Sequence, residues 1–222
     1  MSLQRTLEPE SMDTMEEAIL YVEMNHAEVN RLFAEDLFAG GPVGPRVIDL
    51  GCGPALIAIE IASRDGELQV MGIDSAVEML DMGKRQVDMA GLLGQVFLQH
   101  ADLKQMGDFE DGMADTVVCN SVLHHLPQPR VGLETALRLV KPGGRVFIRD
   151  LYRPETEQEV ERLVELHGTG EPEAARQLLR QSLHASLTLG EAKALAESAG
   201  ISPDAIQMTS DRHWTLDWKE GS

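Results

Sequence analysis

The feature that most constrains this chain is Val47-Ile48-Asp49-Leu50-Gly51-Cys52-Gly53-Pro54-Ala55. A short apolar run, Arg46 to Leu50, carries an acid near its end and opens into two glycines one residue apart. Such a run reads as a buried strand feeding a tight turn. Pro54 suits the first turn of a helix expected over Leu56 to Ser63, because that position does not use the amide hydrogen proline lacks. Strand, glycine turn and helix open a βαβ unit. In a parallel sheet, ligands bind beyond the carboxyl ends of the strands, near the point where the winding reverses, so this turn is a candidate site.

The pattern recurs. Leu68 to Ile73 predicts a second strand ending at Asp74, and Ser75 with Glu78 reads as a capping box for a helix to about Ala90. Gln95 to Leu98, Asp115 to Asn120 and Arg145 to Arg149 predict three more strands. Arg130 to Val140 reads as a helix, followed by a turn at Pro142-Gly143-Gly144. Ahead of all this, helical spacing of Ile19, Val22, Val29, Phe33 and Leu37 predicts one helix from Met15 to Phe38, opened by Asp13 and Glu16 and stopped by the glycines and prolines after Gly40. Beyond the fifth strand come two charged helical stretches, Glu155 to Leu166 and Pro172 to His184. A helix capped by Thr188 and Glu191 follows, then two short strands, Ala205 to Met208 and His213 to Leu216, close enough to pair antiparallel. The fold class that follows is α/β, a doubly wound sheet with helices on both faces. We divide it into a helical cover over residues 1–45 and a core over 46–222 with a helical insertion at about 155–185.

Composition removes whole classes of partner. The 222 residues carry 19 Lys and Arg against 37 Asp and Glu, a formal charge of −18. A body this acidic is repelled by nucleic-acid phosphates and anionic lipid. Cys52 and Cys119 sit in apolar runs and read as small buried hydrophobes, not a disulfide or a zinc site. No apolar stretch reaches the length of a membrane span and the N-terminus has no secretory apolar core, so a cytoplasmic protein is expected.

Asp49 at the end of the first strand suits a ligand carrying an ammonium or sulfonium group. Asp74, ending the second strand, can accept both ribose hydroxyls of a nucleoside, although an acid beside a helix start is also favoured there with no ligand at all. A dinucleotide fingerprint would need glycine at 56, where Leu56 stands, and Pro54 removes an amide that a pyrophosphate would use.

With these residues in view, Arg46 to Asp150 resembles the class I S-adenosylmethionine-dependent methyltransferases. Asp49-Leu-Gly-Cys-Gly53 is similar to the first motif of that family, Gly72-Ile-Asp74 to its second and Ala101-Asp102-Leu103 to the adenine-recognition segment. Ala114 to Asn120 is similar to the fourth motif, and Leu139 to Arg145 to the approach to the fifth strand. The resemblance implies a Rossmann-like, seven-stranded, mostly parallel sheet in the order 3-2-1-4-5-7-6 with one antiparallel strand. It implies S-adenosylmethionine as cofactor, with Asp49, Gly51, Cys52 and Gly53 near the methionine part, Asp74 and Ser75 at the ribose, and Asp102 with Leu103 at the adenine. Asn120 and Ser121 would line the methyl-donor side. Ala55 replaces a third glycine found in many members. Met79 reads as an apolar wall of the site or as ordinary core.

For chemistry, His124 and His125 follow the fourth strand and Asp150 ends the fifth, so a histidine held by a carboxylate is a candidate general base; both could instead only pack the turn before Pro127. Tyr21, Met24, Asn25 and His26 on the N-terminal helix are candidates to face the site, Tyr21 foremost. The acidic helices between 155 and 184 would supply the other part of a lid. The fourth motif lacks the Asn/Asp-Pro-Pro-aromatic signature of nucleic-acid base amine methylation, and no carboxylate cluster stands at a metal spacing. A small-molecule methyl acceptor is therefore expected, with no metal. Two alternatives stay open: a module that binds the cofactor without chemistry, and an NAD-dependent dehydrogenase.

Overall fold

A strand that is apolar along its whole length has to be covered on both faces. Arg46–Leu50 (β1) is such a strand, with residues 47–50 all buried. The computed structural model describes residues 3–8, 14–23 and 26–220. The other strands are β2 (Gln69–Asp74), β3 (Val96–His100), β4 (Ala114–Asn120), β5 (Val140–Leu151), β6 (Ile206–Met208) and β7 (His213–Lys219). They form one seven-stranded sheet in the order β3-β2-β1-β4-β5-β7-β6, with β1 hydrogen-bonded between β2 and β4. The first five strands run parallel, and β7 is antiparallel to both of its neighbours. Among the described residues no helix is long and apolar enough to cross a membrane.

The helices are α1 (Met15–Glu23), α2 (Ala27–Ala39), α3 (Leu56–Ala62), α4 (Val77–Met89), α5 (Pro129–Leu139), α6 (Glu157–His167), α7 (Glu173–Ala185) and α8 (Leu189–Ser198). Alternation along the strands splits the core in two. Ile48 and Leu50 join α5 and α8 residues such as Leu133 and Ala192 on one side, and Val47 joins Phe33, Leu37, Ile61 and Phe147 on the other. On that second side α2 is docked by arginines as well as by oil. Arg145 makes a two-pronged pair with Asp217, both contacts at 2.7 Å, and also donates to the Leu37 carbonyl; Arg149 reaches Asp36 at 2.6 Å and lies over Phe33. Planar guanidinium groups can stack and pair at once, which is how two charges stand buried on a central strand.

Five local expectations change. The single helix from Met15 to Phe38 is described as α1 and α2, with Met24 and Asn25 outside the described residues, as is Asp13. Ile19, expected on its buried stripe, is 41% exposed. The Ser75–Glu78 box does not form: the helix starts one residue later, its cap is Ala76 with no side-chain cap, and the Ala76 amide donates to Asp74 Oδ1 at 2.8 Å. Pro54 precedes the first turn of α3, because Ala55 takes a left-handed conformation, φ 62°, and the helix starts only at Leu56. The Pro142-Gly143-Gly144 turn is absorbed as an irregularity of β5, whose pairing with β4 jumps from Ala114↔Val140 to Thr116↔Arg145. The Thr188–Glu191 capping box forms on α8 as expected, and both cysteines are free and buried.

Candidate active site

The turn after β1 is tied to β2 by its own amides. Gly51 and Cys52 both donate to the Ile73 carbonyl, at 2.8 and 3.1 Å, and Gly53 donates to Asp74 Oδ2 at 2.8 Å. Gly51 has φ 68°, and a side chain there would run into Val122. Gly53 has φ 50°, and a side chain would meet nothing, since it faces open space. The two glycines thus differ in purpose: the first lets two segments of protein touch, the second leaves room for a ligand. Asp74 bridges the turn and the start of α4 through one bond to each oxygen. Each oxygen keeps a second lone pair, which is what a vicinal diol needs.

Around this turn lies a cavity of about 300 Å³. Asp49, Gly51, Cys52 and Gly53 form its floor; Asp74, Ser75 and Met79 border it from β2 and α4; Asp102 and Leu103 close it from the segment after β3. Asn120 and Ser121 from the end of β4 and Tyr21 from α1 complete the wall. Met79 packs with Ala18, Ala76 and Tyr21, so it is both wall and part of the contact between α1 and α4. Asp102 accepts from the Lys104 amide at 2.9 Å and caps the short turn that carries Leu103.

The electrostatics favour a cation. Asp49 is 1% exposed, and its Oδ2 has no hydrogen-bond partner among the described residues. Burial, reinforced by Asp74, pushes its carboxyl up to about 8. Burial likewise raises Asp74, and it raises Tyr21 to about 12 with Asp74 and Asp49 adding to the effect. A positive group placed among them removes the conflict. Asn120 Oδ1 is another buried acceptor without a hydrogen-bond partner among the described residues. Ser121 holds φ 56°, a conformation a residue with a side chain adopts only where its surroundings impose it.

A second cavity, of about 240 Å³, opens from the first across Tyr21, Asn30, Asn120, Ser121 and His125, which line both. Its walls come from α2, α7, the segment 3–8 and the start of β7. His124 and His125 sit on the short turn after β4, as the strand order requires, and His124 meets Asp150. Nδ1 of His124 lies 2.5 Å from Asp150 Oδ1, and Nε2 lies 3.1 Å from Glu8 Oε1. Burial alone would lower the imidazole, but Asp150 and Glu8 together outweigh it and push it up to about 9. His124 therefore carries its proton at neutral pH and is not free to take another. His125, whose Nδ1 is 3.3 Å from Glu8, faces both cavities.

Glu8, His124 and His125 bring three potential ligand atoms within 4.8 Å of one another. Since the imidazolium of His124 already spans two carboxylates, a cation would have to displace a shared proton, and we assign no metal there.

Residues 48–148 match the family described as Methyltransferase domain. The ubiquinone biosynthesis O-methyltransferase of Escherichia coli is 35% identical over 115 residues, 52% of this chain and 46% of that protein. The chain thus spans about half the length of the curated relatives it matches. Among solved structures, a putative S-adenosyl-L-methionine-dependent methyltransferase from Methanococcus maripaludis superposes with a TM-score of 0.72 at 16% identity, covering 95% of this chain and 96% of that one. An O-methyltransferase family protein from Burkholderia thailandensis superposes with a TM-score of 0.67 at 22% identity, covering 89% and 56%. Residues 48–148 of this chain are thus similar to a methyltransferase domain, and its seven-stranded sheet has the fold of these methyltransferase structures. The partnerless Asp49 Oδ2, the open face of Gly53 and the spare lone pairs of Asp74 fit a sulfonium nucleoside.

The site also uses residues that sequence reasoning did not reach. Arg5 donates to the carbonyls of His124, Leu126 and Ala185, pinning the segment 3–8 across the turn that carries both histidines and delivering Glu8 to them. Asn30, His167, Arg212 and His213 line the second cavity from three separate elements. The one signal of this space in the chain is histidine: His26, His124, His125, His167 and His213 line it, out of 7 histidines in total.

Proposed function

We propose that this protein transfers the methyl group of S-adenosylmethionine to a small-molecule acceptor held in the second cavity. The observation that carries the proposal is the junction of the two cavities at Asn120, Ser121 and His125. One side is lined by strand-end carboxylates suited to a cationic nucleoside. The other is lined by aliphatic residues such as Leu151, Leu178 and Leu179 together with histidines. The cofactor supplies an activated methyl group when bound. The chain supplies placement, because displacement at a methyl group needs the nucleophile held in line and close, and much of the rate enhancement comes from that.

His125 is the residue we assign as general base for an acceptor that loses a proton. His124, Asp150 and Glu8 act behind it as a fixed, charged support. The size of the second cavity and the charge of −18 both favour a small organic acceptor over nucleic acid. Likeness to an enzyme named for O-methylation in ubiquinone biosynthesis supports an oxygen nucleophile.

Calorimetric titration with S-adenosylmethionine and, separately, with NAD tests the cofactor half. Heat with the first and none with the second is the expected result, and the reverse would sink the reading. The catalytic half is tested by incubating protein and S-adenosylmethionine with pooled hydroxyaryl, amine and thiol compounds and measuring S-adenosylhomocysteine. Tight cofactor binding with no product over a broad panel would make the protein a binding module instead.

A further inference from the structure

We infer that the acceptor is a carboxylate whose anionic end is held by Arg212, an inference that rests on the reading of the second cavity as the acceptor site. Arg212 lines that cavity from the residue just before β7. It is partly buried, and its guanidinium has no hydrogen bond or ion pair among the described residues. The acid next to it, Asp211, is engaged elsewhere, 3.0 Å from His167 and 3.9 Å from Arg162. In a chain with 37 acidic residues against 19 Lys and Arg, an arginine left unpaired in a cavity stands out, because partners are abundant.

The neighbouring groups neither neutralise nor duplicate this cation. His213 is held neutral: burial and the nearby Arg212 and Arg149 lower it to about 3, and its Nδ1 is 2.9 Å from Ser210 Oγ. His26 is lowered for the same two reasons, burial and Arg212, and its Nε2 is buried with no hydrogen-bond partner among the described residues. Of the carboxylates in the lining, Glu8 is committed to His124 and His125, and Glu171 acts on His26. Burial lowers Arg212 itself, with only Asp211 opposing, which is the state of a cation waiting for a counter-ion.

One guanidinium offers one positive charge and a planar pair of donors, which matches a carboxylate in charge and shape and underserves a dianionic phosphate. The aliphatic side chains of Leu178 and Leu179 would cover an apolar or aromatic body. The acceptor would then span the cavity, anion toward Arg212 and nucleophile toward His125.

The experiment uses matched pairs, 4-hydroxyphenylacetate and 3-hydroxybenzoate with their methyl esters, and phenyl phosphate. Each is titrated into the 222-residue protein saturated with S-adenosylhomocysteine. The acids should bind at least tenfold more tightly than their esters. Arg212→Gln should remove that preference, and Arg212→Lys should restore part of it, while S-adenosylmethionine affinity stays within twofold in both variants. Esters binding as well as acids, a preference that survives in Arg212→Gln, tighter binding of phenyl phosphate, or no binding of any acid by protein that takes up cofactor normally would each overturn the inference. Failure of cofactor binding itself would instead strike the proposed function.

Discussion

His124 presents both its ring and its backbone to Asp150: Nδ1 is 2.5 Å from Oδ1, and the amide donates to Oδ2 at 3.1 Å. Leu151 donates to the same carboxylate at 2.7 Å. One buried acid therefore fixes the turn after β4 to the end of β5, and the charge that makes the grip strong is a proton on His124.

That proton sets a pH dependence. The folded-state value of about 9 lies above the ordinary 6.5, so the stabilisation is fully present below about 6.5 and is lost as pH rises through about 9. The full difference is worth on the order of 3 kcal/mol as an upper limit. Melting temperature measured from pH 6 to 10 should fall across this window in the wild type. His124→Gln should melt lower at pH 6 and flatten the slope, the gap narrowing toward pH 10. Parallel curves would show that the proton contributes nothing to stability.

Asp49 predicts a proton released on cofactor binding. With its carboxyl raised to about 8, the group is mostly protonated at pH 7, and a sulfonium or ammonium beside it favours the ionised form. Affinity for S-adenosylmethionine should therefore rise from pH 6 to about 8 and level off above. Calorimetry at pH 7 in buffers of different ionisation enthalpy should register a proton passed to the buffer. Asp49→Asn should bind about tenfold or more weakly and lose the pH dependence. Affinity that is flat with pH in the wild type would contradict this assignment.

The two glycines of the turn predict separable failures. Both hold positive φ, which costs a residue with a side chain about 1–2 kcal/mol. At Gly51 a methyl group would also collide with Val122, so Gly51→Ala should lower the melting temperature sharply. At Gly53 the methyl group meets no protein atom, so Gly53→Ala should keep most of the stability and lose cofactor affinity instead. Thermal melts with and without S-adenosylhomocysteine distinguish the two, and equal stability loss with equal cofactor response in both variants would refute the distinction.

What the chain made legible follows from how local each feature is. The β1 run with its glycine turn, and β2 with Asp74 at its end, are each encoded within a few residues, whereas the observed sheet order was legible only through the family resemblance. The Ser75–Glu78 box misleads because a capping pattern does not fix where the helix starts: Asp74 Oδ1 holds the Ala76 amide and α4 begins only after Ala76. Periodicity continued unbroken from Met15 to Phe38, so it hid the division into α1 and α2. The second cavity was the least legible part. Glu8, Asn30 and Arg212 are ordinary surface residue types, and only the packing of distant segments brings them to one place. The same packing changed the roles of the paired histidines, since nothing near His124 in sequence announces that Glu8 will hold its second nitrogen.

The histidines therefore predict opposite phenotypes. His125 lines both cavities, whereas His124 lines only the second and is charged between two acids. A general base contributes about 10²–10⁴-fold in rate. With an acceptor found by the panel above, His125→Gln should reduce kcat by about that factor while S-adenosylmethionine affinity and melting temperature change little. His124→Gln should act chiefly on melting temperature, and kcat should recover when the protein is assayed well below its lowered melting point. Its Asp150→Asn counterpart should resemble it, because both remove the same ion pair. Unchanged turnover in His125→Gln would mean that the acceptor reaches the methyl group already deprotonated or as a neutral nucleophile, and that placement between Asn120, Ser121 and Arg212 is the whole of the protein's contribution.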